Sequence, residues 1–236
     1  MILSRRKNRS LHRIDAYLEP YDIVLIVCEG SETEPCYFEK LISKENLSSA
    51  NIEVTGDCGS DPLSVVNHAI QLLKKREEDQ NEERKYDRVY CLIDRDEHHH
   101  FDAAINKIYQ FNKHISKNIL IPIRSWPCFE YWYICHFEYS RAVISKKGKK
   151  SPGTVCEEYL NKILKAKFGK SYKKSDRQIY SLIEDYQKDG IRHSKQALRD
   201  AQDISSHNPS TEVHLLVEYL LNLKRKPKSN HKTSFQ

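Results

Sequence analysis

The sequence lacks the two features that would place a protein in or across a membrane. No apolar run approaches the roughly 20 residues that a transmembrane helix needs. The basic start of the chain, residues 1–7, is not followed by the apolar segment of a signal peptide. We therefore expect no membrane partner.

The chain also lacks any CxxC pair, although it contains seven cysteines. Cys28 and Cys91 lie in aliphatic runs, and Cys128 and Cys135 lie in an aromatic one. This distribution favours buried free thiols in a reducing compartment over disulfides or a zinc site. The expected location is the cytoplasm.

No internal repeat is visible. The 236 residues are 39% hydrophobic and 10% aromatic, which is enough to build a core. The formal net charge of +6 permits an anionic partner such as nucleic acid but does not demonstrate one.

Short apolar runs alternate with helical patterns up to about residue 140. Runs near residues 22–28, 52–56, 87–93 and 119–123 predict strands. The alternation predicts an α/β fold with a mainly parallel, Rossmann-like sheet flanked by helices. Beyond residue 140 the patterns predict a helical region, with helices over 154–168, 175–187, 191–205 and 211–223.

These patterns divide the chain into four parts. We predict a basic amino-terminal arm (1–20), an α/β catalytic core (21–140), a basic loop with a helical carboxyl-terminal region (141–223), and a basic tail without hydrophobic pattern that we expect to be disordered (224–236).

The first predicted strand ends on a carboxylate. Five consecutive aliphatic residues, 23–27, are typical of a parallel strand that is covered on both faces. Glu29 therefore falls at the carboxyl end of the strand, the edge at which open α/β sheets bind ligands. Gly30 allows the backbone to turn closely or to pass near a ligand.

Two more carboxylates, Asp94 and Asp96, follow the third predicted strand. If the backbone stays extended, both face one way and Arg95 faces the other. We expect them to converge with Glu29. Such a cluster raises the pKa values of its members or recruits a cation, and hard oxygen ligands suit Mg²⁺ or Mn²⁺. The alternative is that these acids cap helices and stay solvated.

Two further residues are candidates for catalysis. His98 is the best placed of three successive histidines to act as a base or to contact a phosphate, although an exposed loop residue is the safer interpretation. Glu130 is an acid within an aromatic helical segment. A buried carboxylate needs a partner, which the metal site or a Lys or Arg could supply.

The strongest basic cluster predicts a loop between residues 141 and 151. It contains Lys146, Lys147, Lys149 and Lys150. Together with Arg95 and the arginines of the amino-terminal arm, these lysines are candidate sequence-independent contacts to nucleic-acid phosphates. The alternative is a solvated charged loop.

Several motifs occur in an order and spacing that are specific as a set. They are Val27-Cys28-Glu29-Gly30 with Thr33-Glu34-Pro35 and Tyr37-Phe38, Gly59-Ser60-Asp61-Pro62, Asp94-Arg95-Asp96-Glu97-His98, Pro127-Cys128-Phe129-Glu130-Tyr131-Trp132 with His136-Phe137, and Pro209-Ser210-Thr211 before the last helix. This set resembles the RloB family over roughly residues 22–222.

The RloB family is similar to TOPRIM-fold proteins, in which a Glu after the first strand and a DxD after a later strand hold Mg²⁺ for phosphodiester chemistry. The resemblance therefore implies a TOPRIM-like core, with Glu29 as metal ligand or acid/base and with Asp94 and Asp96 as metal ligands. RloB-like proteins are associated with restriction-modification loci and phage defence. The resemblance implies a nuclease effector acting on DNA or RNA, tRNA included, beside an ATPase partner of the AAA or ABC type. A homo-oligomer is also expected.

Two other functions stay open. The chain could be a non-catalytic nucleic-acid-binding or regulatory subunit of a defence complex, with a vestigial acidic site. It could also be a phosphatase or phosphotransferase with Asp94 as nucleophile. The DxD of such enzymes normally follows the first strand, and here it follows the third, which argues against this function.

Overall fold

The computed structural model describes residues 21–49, 51–56, 58–59, 61–78, 85–174 and 176–225. The predicted basic arm and residues 226–236 of the predicted tail lie outside these residues. Within the described chain, no helix is both long and apolar enough to cross a membrane.

Strands and helices alternate through most of the described chain. In order they are β1 (Val24–Val27), α1 (Thr33–Lys44), β2 (Ile52–Thr55), α2 (Pro62–Glu77), β3 (Arg88–Asp94), α3 (Phe101–His114), β4 (Leu120–Trp126), α4 (Glu130–Cys135), α5 (Pro152–Phe168), α6 (Ile179–Ile183), α7 (Gln187–Asp203), β5 (Ser210–Thr211) and α8 (Val213–Leu221).

The described strands form one five-stranded sheet in the order β2-β1-β3-β4-β5. The strands β2, β1, β3 and β4 are parallel to one another, and β5 is antiparallel to β4. The predicted α/β fold with a mainly parallel, helix-flanked sheet is therefore confirmed.

Helices cover both faces of the sheet, as the continuous aliphatic runs predict. Because successive side chains of a strand point to opposite faces, Val24 and Ile26 of β1 join one hydrophobic cluster and Leu25 and Val27 join the other. The first cluster packs against α1 and the helices from α4 to α8, and the second packs against α2 and α3.

The sheet has a switch point between β1 and β3. From β1 the chain passes through α1 to β2 on one side, and it then crosses through α2 to β3 on the other side of β1. In open α/β sheets the crevice at the carboxyl ends of two such strands is the usual place for a ligand. Glu29 follows β1, and Asp94 is the last residue of β3.

Two expectations for the carboxyl-terminal half need correction. The carboxyl-terminal region predicted to be helical also contributes a strand, because β5 at residues 210–211 pairs with β4 and completes the sheet. The predicted helix from residue 211 therefore begins only at Val213. In addition, α6 covers only Ile179–Ile183, and α7 begins at Gln187 rather than near residue 191.

The backbones after β1 and β2 approach each other closely at Gly56. A Cβ atom on Gly56 would lie 2.0 Å from the carbonyl oxygen of Gly30 and 2.9 Å from the Cα atom of Ser31. The absence of a side chain at Gly56 therefore lets the loop that carries Glu29 lie against the end of β2.

We expect Gly56→Ala to destabilise the fold by about 1–3 kcal/mol, because the added methyl group forces the two backbones apart. Urea unfolding followed by circular dichroism measures this change. Gly30→Ala is the matched control, since its Cβ meets nothing closer than 3.5 Å. Equal stability of the two variants would contradict the close approach.

Candidate active site

Glu29 is held between the ends of β1 and β3. Its Oε2 atom accepts a hydrogen bond of 2.9 Å from the backbone N–H of Asp94. Its Oε1 atom lies 3.0 Å from Nε2 of His98. The side chain of Glu29 is buried, and each of its oxygens has a protein group within hydrogen-bond distance.

Asp94 ends β3 next to Ser125 of β4. Its Oδ2 atom accepts a hydrogen bond of 3.1 Å from the backbone N–H of Phe129, which immediately precedes α4. The residue is partly buried. The carboxylate of Asp94 thus fixes the start of α4 to the end of β3, beside Glu29.

Two further buried carboxylates share a cavity with Glu29 and Asp94. Glu34 lies in the first turn of α1 and Glu130 begins α4, and their side chains are among the buried charged groups. The cavity has a volume of about 250 Å³. Its lining residues are Glu29, Gly30, Ser31, Glu32, Thr33, Glu34, Asp94, Phe129, Glu130 and Lys174.

The structure brings in two cavity residues that the sequence did not single out for chemistry. Glu34, five residues after Glu29, belongs to one of the motifs that resemble the RloB family, but no chemical role was predicted for it. Lys174 lies in an irregular segment after α5 and carries no recognisable pattern. It is a cation in a cavity that is otherwise acidic.

Glu130 shares the cavity with Lys174, whose pKa its charge raises, and it also has a hydrogen-bond partner that the sequence did not predict. Its Oε1 atom accepts a hydrogen bond of 2.9 Å from the hydroxyl group of Tyr172. The same hydroxyl lies 3.2 Å from Oγ1 of Thr33. Tyr172 therefore ties the segment that carries Lys174 to α1 and α4.

Burial and mutual repulsion raise the pKa values of three acids in the cavity, Glu29, Glu34 and Asp94. The pKa of Glu29 rises to about 7, chiefly through burial, although the N–H of Asp94 opposes the shift. The pKa of Glu34 rises to about 8 through burial and then through the charge of Glu130. Burial, followed by the charges of Glu29 and Glu34, holds the pKa of Asp94 well above its usual range. These three carboxyl groups therefore hold their protons more strongly than free carboxyl groups do.

Asp96 does not line this cavity, contrary to the expected convergence of three carboxylates. Its Oδ1 atom accepts from the N–H of Gly153 at 3.1 Å, and its Oδ2 atom accepts from the hydroxyl of Ser151 at 3.2 Å. Both groups belong to the start of α5, where unpaired N–H groups favour a carboxylate. The backbone turns between Arg95 and His98, and the two aspartates bind different segments: Asp94 the start of α4, and Asp96 the start of α5.

Arg95, between the two aspartates, and Lys146 of the basic loop also have partners within the protein. Nη1 of Arg95 donates to the carbonyl oxygen of His98 at 2.9 Å, and the guanidinium lies 5.3 Å from the centre of the Phe101 ring. Lys146 forms an ion pair of 2.9 Å with Glu97. Of the predicted nucleic-acid contacts, Arg95 and Lys146 thus have intramolecular partners.

The predicted basic loop forms a narrow turn. The backbones of Lys147 and Lys150 pair through two hydrogen bonds of 3.1 Å. Lys150 also forms an ion pair with Glu158 of α5. The side chains of Lys147 and Lys149 are exposed.

Glu29 and Asp94 fit a hard divalent cation, but they do not form a closed cage. In the part of the chain that the structure describes, no three His, Cys, Asp or Glu side chains are grouped as ligands for a metal ion. Mg²⁺ usually keeps several waters and is bound by one or two carboxylates together with substrate phosphates. The donor chemistry of Glu29 and Asp94 meets that requirement, and Asp96 does not contribute to it in this arrangement.

We predict that Glu34→Gln stabilises the metal-free protein, and that the gain grows between about pH 5 and pH 8. The folded-state pKa of Glu34 is raised, so the unfolded chain releases the proton first and deprotonation favours unfolding across this window. Thermal melting in EDTA at several pH values measures the difference.

Glu39→Gln is the control for this prediction, because Glu39 is an exposed residue of the same helix. A stability gain that is equal for both variants, or that is independent of pH, would show that folding does not raise the pKa of Glu34.

Comparison with known proteins places the chain in one family. No curated protein and no solved structure matches it significantly. The family model described as RloB-like protein matches residues 24–220, which include β1, β3, α4 and every residue that lines the cavity. The chain belongs to the RloB-like protein family.

Proposed function

We propose that this protein is a metal-dependent nuclease that hydrolyses phosphodiester bonds of DNA or RNA through a TOPRIM-like site. The observation that carries the proposal is the pairing of Glu29 and Asp94 at the switch point of the sheet, in one cavity with Glu34, Glu130 and Lys174. Fixed acids in an open cavity at that edge are the arrangement that binds a divalent cation.

Glu29 and Asp94 would hold Mg²⁺ or Mn²⁺. When bound, such an ion lowers the pKa of water and stabilises negative charge on a phosphoryl oxygen. Glu34 and Glu130 lie around this pair and add negative charge that favours a cation in the cavity. Asp96 acts at a distance by fastening the loop after β3 to α5.

Lys174 and His98 are the groups suited to the substrate. Lys174 places a positive charge in the acidic cavity, where it can contact a phosphate and offset charge that develops there. His98 is oriented by Glu29 and is positioned to transfer a proton. Glu130 positions the segment of Lys174 through Tyr172.

We also propose a biological setting, which the resemblance to RloB-like proteins implies. The chain would be an effector of antiphage defence, working with an AAA- or ABC-type ATPase and acting on DNA or on RNA such as tRNA, with a homo-oligomer as its own assembly. The alternative, a non-catalytic nucleic-acid-binding subunit, draws support from the position of Asp96, whose oxygens are both used within the protein.

Metal binding separates the roles of the two aspartates. We expect Glu29→Gln and Asp94→Asn to weaken Mn²⁺ binding by about 10- to 100-fold. Asp96→Asn keeps an oxygen that can accept from Gly153, so it should change the affinity little. Titration calorimetry with Mn²⁺ measures all three. Equal losses for Asp94→Asn and Asp96→Asn would make Asp96 a ligand, contrary to its position.

Cleavage tests the nuclease proposal itself. We expect Mg²⁺- or Mn²⁺-dependent cleavage in a panel of plasmid, single-stranded DNA and total tRNA, assayed alone and with an ATPase partner. Lys174→Met should lower kcat by about 10²-fold, and Lys174→Arg, which keeps the charge, should retain more activity. Activity that survives both Glu29→Ala and Asp94→Ala would exclude this site.

A further inference from the structure

A second basic segment, unrelated to the predicted basic loop, occupies residues 162–177. It contains seven cations and one acid, so it alone carries a formal charge equal to the +6 of the whole chain. All seven cationic side chains are exposed. They are Lys162, Lys165, Lys167, Lys170, Lys173, Lys174 and Arg177.

Within the described part of the chain, most of these charges have no carboxylate at ion-pair distance. Among the described residues, only Lys174 of this set has a carboxylate within 4.0 Å, at Glu157. Lys167 lies over the rings of Phe137 and Tyr186 at 5.7 and 5.6 Å. In the predicted basic loop, by contrast, Lys146 and Lys150 are neutralised by Glu97 and Glu158.

The chain after α5 folds back along the helix towards the cavity. The N–H of Tyr172 donates to Oδ1 of Asn161 at 2.8 Å, and Nζ of Lys174 lies 2.9 Å from Oε1 of Glu157. Each step along the returning segment thus lies beside an earlier position of α5. The helix itself begins at Pro152, and the neighbouring Ser151 and Gly153 donate hydrogen bonds to Asp96.

The segment that returns along α5 reaches the candidate active site at Lys174. Lys174 lines the cavity together with Glu29, Asp94 and Glu130. Tyr172 anchors the segment to Glu130 by a hydrogen bond of 2.9 Å. The exposed lysines and the cavity are therefore connected by a short stretch of chain that is fixed at both ends.

We infer that Lys162, Lys165, Lys170 and Lys173, here called the α5 basic face, bind the phosphate backbone of a nucleic-acid strand and guide it to the cavity at Lys174. The inference rests on the proposed function, for which it supplies the substrate track. Unpaired exposed cations gain most from phosphate contact, because no internal ion pair has to be broken and counterions are released from the nucleic acid.

Binding without cleavage tests this inference. Fluorescence anisotropy with a labelled oligonucleotide in EDTA compares the wild type with the triple variant Lys162→Glu, Lys165→Glu and Lys170→Glu. We expect weaker binding and a slope of log affinity against log salt that falls by about 0.7–0.9 per lysine lost. Single-stranded DNA, duplex DNA and RNA are measured in parallel to identify the preferred strand.

The control is a triple variant with the same charge change on the other face of the sheet. It consists of Lys107→Glu, Lys113→Glu and Lys117→Glu, all exposed residues in or next to α3. The control should keep both the affinity and the salt slope nearer to the wild type. Circular dichroism melting verifies that both variants are folded.

Two results would overturn the inference: an equal loss in both triple variants, or unchanged binding when the α5 basic face is reversed. The outcome is separable from that of the nuclease proposal. A protein that binds through this face but never cleaves supports the inference and refutes the nuclease. A protein whose metal-dependent cleavage and binding are insensitive to the α5 variant supports the nuclease and refutes the inference.

Discussion

The hydrogen bond from the N–H of Asp94 to Glu29 is the interaction on which the site depends. It joins the ends of two parallel strands that are neighbours in space but separated by α1, β2 and α2 in the chain. Both faces of a parallel strand of continuous aliphatic residues are buried, so a charged side chain can reach solvent or a ligand only where the strand ends. Glu29 is therefore forced to the edge of the sheet, and the backbone of β3 supplies the donor that makes its burial tolerable.

The fold and the central acidic pair could be predicted from the sequence because both depend on local rules. Hydrophobic runs of strand length alternate with helical periodicity, and this pattern alone indicates a parallel sheet with helices on both faces. The position of a carboxylate directly after such a run then fixes its edge. Glu29 and Asp94 satisfy both conditions, and they lie together in the structure as expected.

The rest of the site depends on contacts between distant segments, which local patterns do not encode. Extended backbone geometry predicted that Asp96 joins Glu29 and Asp94. Its carboxylate instead binds at the start of α5, where the N–H groups have no partner within the helix. Lys174 is held at the cavity by contacts between distant segments: Tyr172 donates to Glu130, and Thr33 donates to the carbonyl oxygen of Lys174. The two-residue strand β5 is too short for any periodicity, and its pairing with β4 became visible only in the folded chain.

The position of Lys174 in the cavity wall has a consequence for how the protein is made. A ribosome delivers the chain from its amino-terminal end, so the acids of β1, α1, β3 and α4 emerge well before the segment that holds Tyr172 and Lys174. The sheet is completed later still, once β5 at residues 210–211 has been synthesised. The cavity is consequently incomplete on a nascent chain until Tyr172 and Lys174 have been synthesised.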